Sequence, residues 1–580
     1  MVFFAFMNLI AIVGYYCFFK NVLKQNEAFF PFCFIAFSVV VVYIFGCMEL
    51  LSIGCVAVII GGIVSLLICV LSFKEKKEKP DHSWFFNPTV IFMGIGIVWS
   101  FILSRGIIPS HYDDFSHWLR LCKTMHADGS YPCTSECYYV NYVPGTATWV
   151  YYYTRGIGYS IENCYFSQMI LNLSCCAGFF SVVDKNASVF RKAVFLCVNG
   201  LLAVLLCSMN VTTYSLLVDG TLALASVITV IYVITTENEE NKWLRFGIIL
   251  VLSCFIAIIK ASGILFTIFI SVLFFVARRN IKGEKHFKEI ACSLCVIIVP
   301  YLLSLGYLFR AKRIYGTGTW KQGTAEEYIK ILTGWDSDRY LKIVGKMISA
   351  CMDYFHAVPQ IKMLWYLFII VTIISLLKIK KGKEDRQWGF VVGYMLVVSV
   401  LWMVGVLFTY FTYNEEDAYS LVCFERYTGT IVIFEAGLIL FYVLLKLNKL
   451  LEKKKFLLGV GGSLSVAIAI SLLAGFNPAF VFGFKYFDDK TYTVDAWAYL
   501  AENYEERWDF NNDSYALIVD VEQKDLDNYY KLHQVMTTYF RTTNCAVYDI
   551  HDLQEHDTTI EEIKAFFSYV IYYMNVGDQL

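Results

Sequence analysis

Charge is what this chain has least of. Asp, Glu, Lys and Arg make up 17% of its 580 residues and hydrophobic residues 58%, with a mean hydropathy of +0.55. Soluble domains are about 25% charged, so too little of this chain can face water for it to be an ordinary soluble protein. The same figures exclude disordered, collagen-like and coiled-coil classes. Net charge is missing as well: 48 basic against 49 acidic residues leave −1, which gives no pull toward nucleic acid. Disulfides are not implied, because most of the 19 cysteines (Cys17, Cys69, Cys197, Cys254, Cys292, Cys295 among them) lie inside apolar runs as small hydrophobes. Cys133 and Cys137 share a polar loop, which leaves a disulfide open there but lacks the second half of a zinc site. A basic leader with a small-residue cleavage pattern is also lacking, so the apolar stretch from Val2 reads as a retained first span. No fixed-period or inverted repeat stands out, which disfavours a carrier.

What is present is a succession of apolar segments. A helix needs roughly 20 apolar residues to cross a bilayer, and fourteen segments qualify, near 2–19, 29–47, 51–73, 88–108, 163–183, 193–210, 220–236, 246–260, 262–277, 290–309, 363–377, 388–411, 428–445 and 456–475. Basic flanks resist translocation. Lys74, Lys76, Lys77 and Lys79, then Arg278, Arg279, Lys282 and Lys285, then Lys378, Lys380, Lys381 and Lys383, then Lys446, Lys449 and Lys453 to Lys455 mark the cytoplasmic loops. Parity then puts both termini and the loops 109–162, 210–220, 310–362 and 412–427 on the external face. The 310–362 loop is external yet basic, with Arg310, Lys312, Arg313, Lys321, Lys330, Arg339, Lys342 and Lys346, which means either that the span count fails there or that the charge is kept for an anionic ligand.

The sequence therefore predicts an α-helical polytopic membrane protein of about 14 spans: N-terminal helices over 1–108, an external loop over 109–162, a transmembrane core over 163–475 and an external domain over 476–580. From Lys485 onward there are 7 basic and 19 acidic residues. In that tail Tyr515 to Val519 and Cys545 to Tyr548 read as strands, Leu526 to Phe540 and Ile560 to Tyr572 as helices, giving a small α/β domain. It has no phosphate loop or nucleophile elbow, so a lid or docking role fits it best.

Chemistry belongs in the 109–162 loop. It begins Pro109-Ser110-His111-Tyr112-Asp113-Asp114-Phe115-Ser116-His117-Trp118 and holds three of the nine prolines, so its turns are fixed. Two adjacent carboxylates beside aromatics at a membrane surface suit general-base work, because shielding and mutual repulsion raise a carboxyl pKa. A helix N-cap or a cation site with His117 are the alternatives. Lys260, alone between apolar runs, demands an anion or the interface. Arg426 follows Glu425 and could simply pair with it. Arg310, Lys312 and Arg313 read as phosphate ligands or as an anchor on anionic lipid.

The order of these features resembles the GT-C superfamily of polytopic glycosyltransferases, which includes protein O-mannosyltransferases and the aminoarabinose transferases of lipid A. Asp113-Asp114 stands where those enzymes carry an Asp-Glu pair, and Tyr142-Val143-Pro144-Gly145 looks like their Tyr-x-Pro-Gly. Leu217-Val218-Asp219-Gly220, Ile258-Ile259-Lys260-Ala261-Ser262-Gly263 and Phe424-Glu425-Arg426-Tyr427 resemble three later motifs in the same order. The resemblance covers roughly 100–445, with three extra N-terminal spans. It implies a polyprenyl-phosphate sugar donor, a cell-surface glycan or lipid-linked acceptor, a bacterial cytoplasmic membrane and inversion at the anomeric carbon. On that expectation Asp113 is the base, with Asp114 and His117 orienting the acceptor. Lys260, Arg310, Lys312, Arg313 and Arg426 meet the donor phosphate, and Asp219, Tyr142, Glu425 and Tyr427 line the substrate site. No metal or other cofactor is required. The rival readings are a polymerase or a flippase of lipid-linked polysaccharide.

Overall fold

The protein was analysed as a computed structural model, which describes residues 2–76, 87–107, 113–132, 142–184, 186–208, 215–237, 241–279, 286–315, 337–352, 383–413 and 415–452, the C-terminal segments 515–520, 545–549 and 559–574, and a few isolated positions. Its membrane part is helical because a lipid-embedded backbone can satisfy its N–H and C=O groups only within the segment. The helices are α1 (Val2–Cys17), α2 (Phe30–Cys47), α3 (Leu51–Lys76), α4 (Pro88–Ser104), α5 (Leu119–Asp128), α6 (Gly145–Ile157), α7 (Ile161–Ala177), α8 (Val189–Ser208), α9 (Val218–Thr235), α10 (Lys242–Ile259), α11 (Gly263–Arg279), α12 (His286–Tyr315), α13 (Ser337–Met352), α14 (Lys383–Phe411), α15 (Glu415–Ser420) and α16 (Phe424–Glu452). Starts are marked chemically. Asn87 caps α4 by accepting from the Thr89 N–H with Pro88 next in line, Ser160 accepts from the Asn163 N–H at α7, and Asn241 from the Leu244 N–H at α10.

Ten helices among the described residues are long and apolar enough to cross a membrane, and Pro88–Ser104 and Gly263–Val276 are shorter apolar helices. Together they fall on twelve of the fourteen expected spans; those at 363–377 and 456–475 lie largely outside the described residues. The chain is thus an α-helical protein of the polytopic membrane type. Helix α9 sits at the centre, buried continuously from Val218 to Val233, against α16, α10, α11 and α7. On the outside Ile53, Ile60 and Leu67 of α3 and Ile95, Val98 and Ile102 of α4 are exposed, as lipid-facing residues should be.

In the 109–162 segment the helices α5 and α6 are buried along most of their length. Arg105 and the Gly106 N–H bind Glu162 at 3.0 and 2.9 Å and close the segment's two ends. Arg310 of α12 reaches Glu49 after α2 and the carbonyls of Tyr131 and Pro132. The ends of α2 and α12 and this segment therefore share one end of the bundle.

In the C-terminal part three strands, β1 (Tyr515–Asp520), β2 (Cys545–Asp549) and β3 (Tyr569–Met574), form a parallel sheet in the order β2-β1-β3, with Tyr515 opposite both Cys545 and Tyr569. Ala516, Ile518, Leu553 and Ile563 make its core. The two expected strands are found. The expected helix over Ile560 to Tyr572 is corrected: α17 covers only Ile560–Phe566, behind a Thr559–Glu562 capping box, and the rest is β3. Tyr569-Val570-Ile571-Tyr572 is a β-branched and aromatic run, and an open edge of β1 outweighs its helical continuation. The expected helix over Leu526 to Phe540, and Cys133 and Cys137, lie outside the described residues.

Candidate functional site

Asp113 precedes one turn of π-helix, Asp114–Trp118, that leads into α5. The turn sends the two neighbouring carboxylates in different directions. Asp114 is fully buried and accepts hydrogen bonds from the Tyr165 hydroxyl at 2.8 Å, the Ser215 hydroxyl at 2.9 Å and the Leu216 N–H at 2.9 Å. Burial pushes its carboxyl up from 3.8 to about 7, against the pull of these three donors. The Asp113 side chain keeps 27% of its exposure, so of the pair it is the one that a substrate can reach. His117 is buried against Trp118 and Tyr142, with ring centroids 4.5 and 5.0 Å away. Burial lowers its imidazole to about 3, so it is neutral at physiological pH. Asp114 and His117, expected to orient an acceptor, both lie inside the protein, and Asp114 ties the loop to the segment leading into α9.

Three membrane helices bring their ends to Asp113. Asp219 lies in the first turn of α9, where the helix dipole favours an anion. Lys260 occupies the extended break between α10 and α11, and Arg426 the first turn of α16. Lys260 Nζ meets Asp219 Oδ1 at 2.7 Å. Arg426 bridges two carboxylates: its Nη1 lies 2.5 Å from Asp113 Oδ2 and its Nε 3.2 Å from Asp219 Oδ2. Both cations also lie over the Tyr427 ring, at 4.9 and 5.6 Å from its centroid. The Tyr427 hydroxyl is 2.5 Å from that of Tyr413.

Two glycines let the break come this close. A Cβ on Gly145, at the start of α6, would stand 2.3 Å from the Ile258 carbonyl oxygen, two residues before Lys260. One on Gly263 would stand 2.1 Å from the Ile256 carbonyl oxygen. Only glycine fits at either place, so Pro144-Gly145 and Ser262-Gly263 serve to press α6 and α11 onto the end of α10.

The other expected site residues divide. Tyr142 is half-buried and feels the charges of Asp113, Arg426 and Asp219, which places it beside the cluster, and burial raises its phenol. Asp219 has 3% of its side chain exposed; it is the counter-ion of the two cations rather than a surface for substrate. Glu425 is exposed, and the carboxylates Arg426 meets are Asp113 and Asp219 instead. Arg310, expected at the donor phosphate, is buried and holds Glu49 through two hydrogen bonds of 2.6 and 2.8 Å. Lys312 and Arg313 are exposed at the end of α12. Sequence reading missed Tyr413, Tyr165 and Ser215. Among the described residues no three His, Cys, Asp or Glu side chains converge to hold a metal.

No family profile matches the chain, and no curated protein matches it in sequence. Among solved structures, ArnT from Cupriavidus metallidurans in the apo state aligns with 80% of this chain and 90% of its own, at 12% identity and a TM-score of 0.35. A likeness at that score does not by itself establish a common fold.

Proposed function

We propose that this chain is a membrane glycosyltransferase that moves a sugar from a polyprenyl-phosphate donor to a hydroxyl of a cell-surface glycan or lipid-linked acceptor on the outer face of the membrane. The observation that carries the reading is the juxtaposition of a partly exposed carboxylate, Asp113, with Arg426 and Lys260 at the ends of apolar helices. A lipid phosphate presents its charge at that depth, and a guanidinium with an ammonium can neutralise it as it leaves.

In the proposed step Asp113 takes the proton of the acceptor hydroxyl as its oxygen forms a bond to the anomeric carbon. The bond from that carbon to the phosphate oxygen breaks, and its electron pair stays on the phosphate beside Arg426 and Lys260. A single displacement inverts the anomeric carbon. The donor's apolar tail has room between α4, α7 and α8, where a cavity of about 300 Å³ is lined by Phe92, Trp99, Leu103, Leu173, Leu196 and Val204. Asn172 on its wall accepts from Thr221, two residues after Asp219 on α9.

One feature favours a carrier: Glu435 is buried in the middle of α16 against the Ser399 hydroxyl, and an intramembrane carboxyl is a functional candidate by default. The test compares surface glycans, by mass and sugar composition, in cells with the intact gene, no gene, Asp113→Asn or Glu435→Gln at equal expression. The transferase reading expects deletion and Asp113→Asn to lose one sugar substituent from an otherwise intact polymer, while Glu435→Gln keeps it. Loss of the whole polymer on deletion and in Glu435→Gln, with Asp113→Asn unaffected, would replace the transferase with a flippase or polymerase.

A further inference from the structure

Arg426 holds its two carboxylates unequally. Its Nε edge faces Asp219, which is buried and also bound by Lys260, whereas Nη1 faces Asp113, which is partly exposed. The four charges of Asp113, Asp219, Lys260 and Arg426 cancel. An incoming phosphate competes with these carboxylates for the guanidinium, and of the two the more exposed, Asp113, is the one it can displace. Tyr142, Tyr413 and Tyr427 face the same cluster, but a phenol ionises only to an anion, so none of them can supply positive charge to a phosphate.

From this arrangement we infer that Arg426 is a switch: it withholds the Asp113 carboxylate while the site is empty and surrenders it when a phosphate-bearing ligand binds. The inference rests on the proposed donor-phosphate site and adds an order to it. Asp113 is released to accept a proton only once the donor is seated, so the acceptor hydroxyl engages second. Linkage makes the effect reciprocal, because whatever factor phosphate takes from the Asp113–Arg426 pair, the pair takes from phosphate affinity.

The test uses the full chain purified in detergent, with farnesyl phosphate as the probe and calorimetry as the readout. Four proteins are compared: intact, Asp113→Asn, Arg426→Gln and the double variant, each checked for an intact melting transition. Asp113→Ser is a second charge-removing variant should Asp113→Asn fold poorly. The switch requires Asp113→Asn to bind farnesyl phosphate about fivefold or more tightly than the intact chain, and the same substitution to change nothing once Arg426 is Gln. Equal tightening in both backgrounds means that Asp113 merely repels the anion, and overturns the switch. Unchanged or weaker binding by Asp113→Asn overturns it too, while leaving the phosphate site standing. Failure of every folded protein to bind farnesyl phosphate overturns the phosphate site and the switch together.

Discussion

Asp113 and Asp114 are adjacent and chemically alike, yet burial gives them opposite uses. Asp114 has no exposed surface and three donors, so its loss takes their acceptor from the Tyr165 and Ser215 hydroxyls and the Leu216 N–H inside the protein. Asp114→Ala should cost about 1–3 kcal/mol for each donor that loses its acceptor and lower the melting temperature in detergent. Its proton adds a pH signature. The folded carboxyl sits at about 7 and the ordinary one at 3.8, so the folded chain binds the proton more tightly, and stability should fall as pH rises from about 4 to 7 and level off above. Melting curves across that range should show the slope in the intact chain and a flatter one in Asp114→Asn; a parallel slope would contradict the assignment. Which residues could be read in advance follows the same physics. Asp113, Lys260 and Arg426 were legible because an ionised side chain at the rim of an apolar run needs a reason to be there. Arg310 was legible as unusual but not as structural, since its partner Glu49 lies 261 positions away. Tyr165 was invisible, because an aromatic inside a membrane helix gives no sign that it binds a carboxylate.

The break between α10 and α11 is what delivers Lys260, and its position depends on backbone contact with α6. Gly145→Ala puts a methyl 2.3 Å from the Ile258 carbonyl oxygen, where backbone cannot yield cheaply. Overpacking of this kind costs about 1–3 kcal/mol, and the displaced Lys260 should cost transfer activity as well. The expected result is a lower melting temperature with a fall in kcat. Gly94→Ala, on α4 with open space around it, is the control and should change neither. At this scale the sequence was most informative where chain and lipid impose one rule: apolar runs became helices nearly at their expected bounds. It was least informative in the tail, where Tyr569 to Met574 pairs with a strand some fifty residues earlier and only tertiary context turns it from helix to strand.

At the scale of the molecule, the meeting of Asp113, Asp219, Lys260 and Arg426 requires the ends of α9, α10 and α16 and the segment after α4 to share one side. Counting spans from the four basic clusters assigns those ends to the external face, and that sidedness is a proposal with its own test. Alkaline phosphatase fused after Ser420, near the cluster, should be active, and fused after Thr236, at the far end of α9, inactive. The reverse pattern would turn the protein over and move the chemistry to the cytoplasmic side. The count of spans uses only the rule that each spanning helix reverses the chain's direction, whereas the pairing of charges across α9, α10 and α16 depends on packing that no hydropathy pattern contains.

The central claim is that Asp113 drives transfer from a lipid-phosphate sugar, and the most direct measurement is acceptor-dependent release of free polyprenyl phosphate. Purified full-length chain would be mixed with polyprenyl-phosphate sugars and glycan acceptors extracted from its host membrane, and the lipid products followed by mass spectrometry. The account predicts release by the intact chain, reduced about 100-fold or more in Asp113→Asn and strongly reduced in Lys260→Gln. Release that is independent of acceptor, or undiminished in Asp113→Asn, would contradict it.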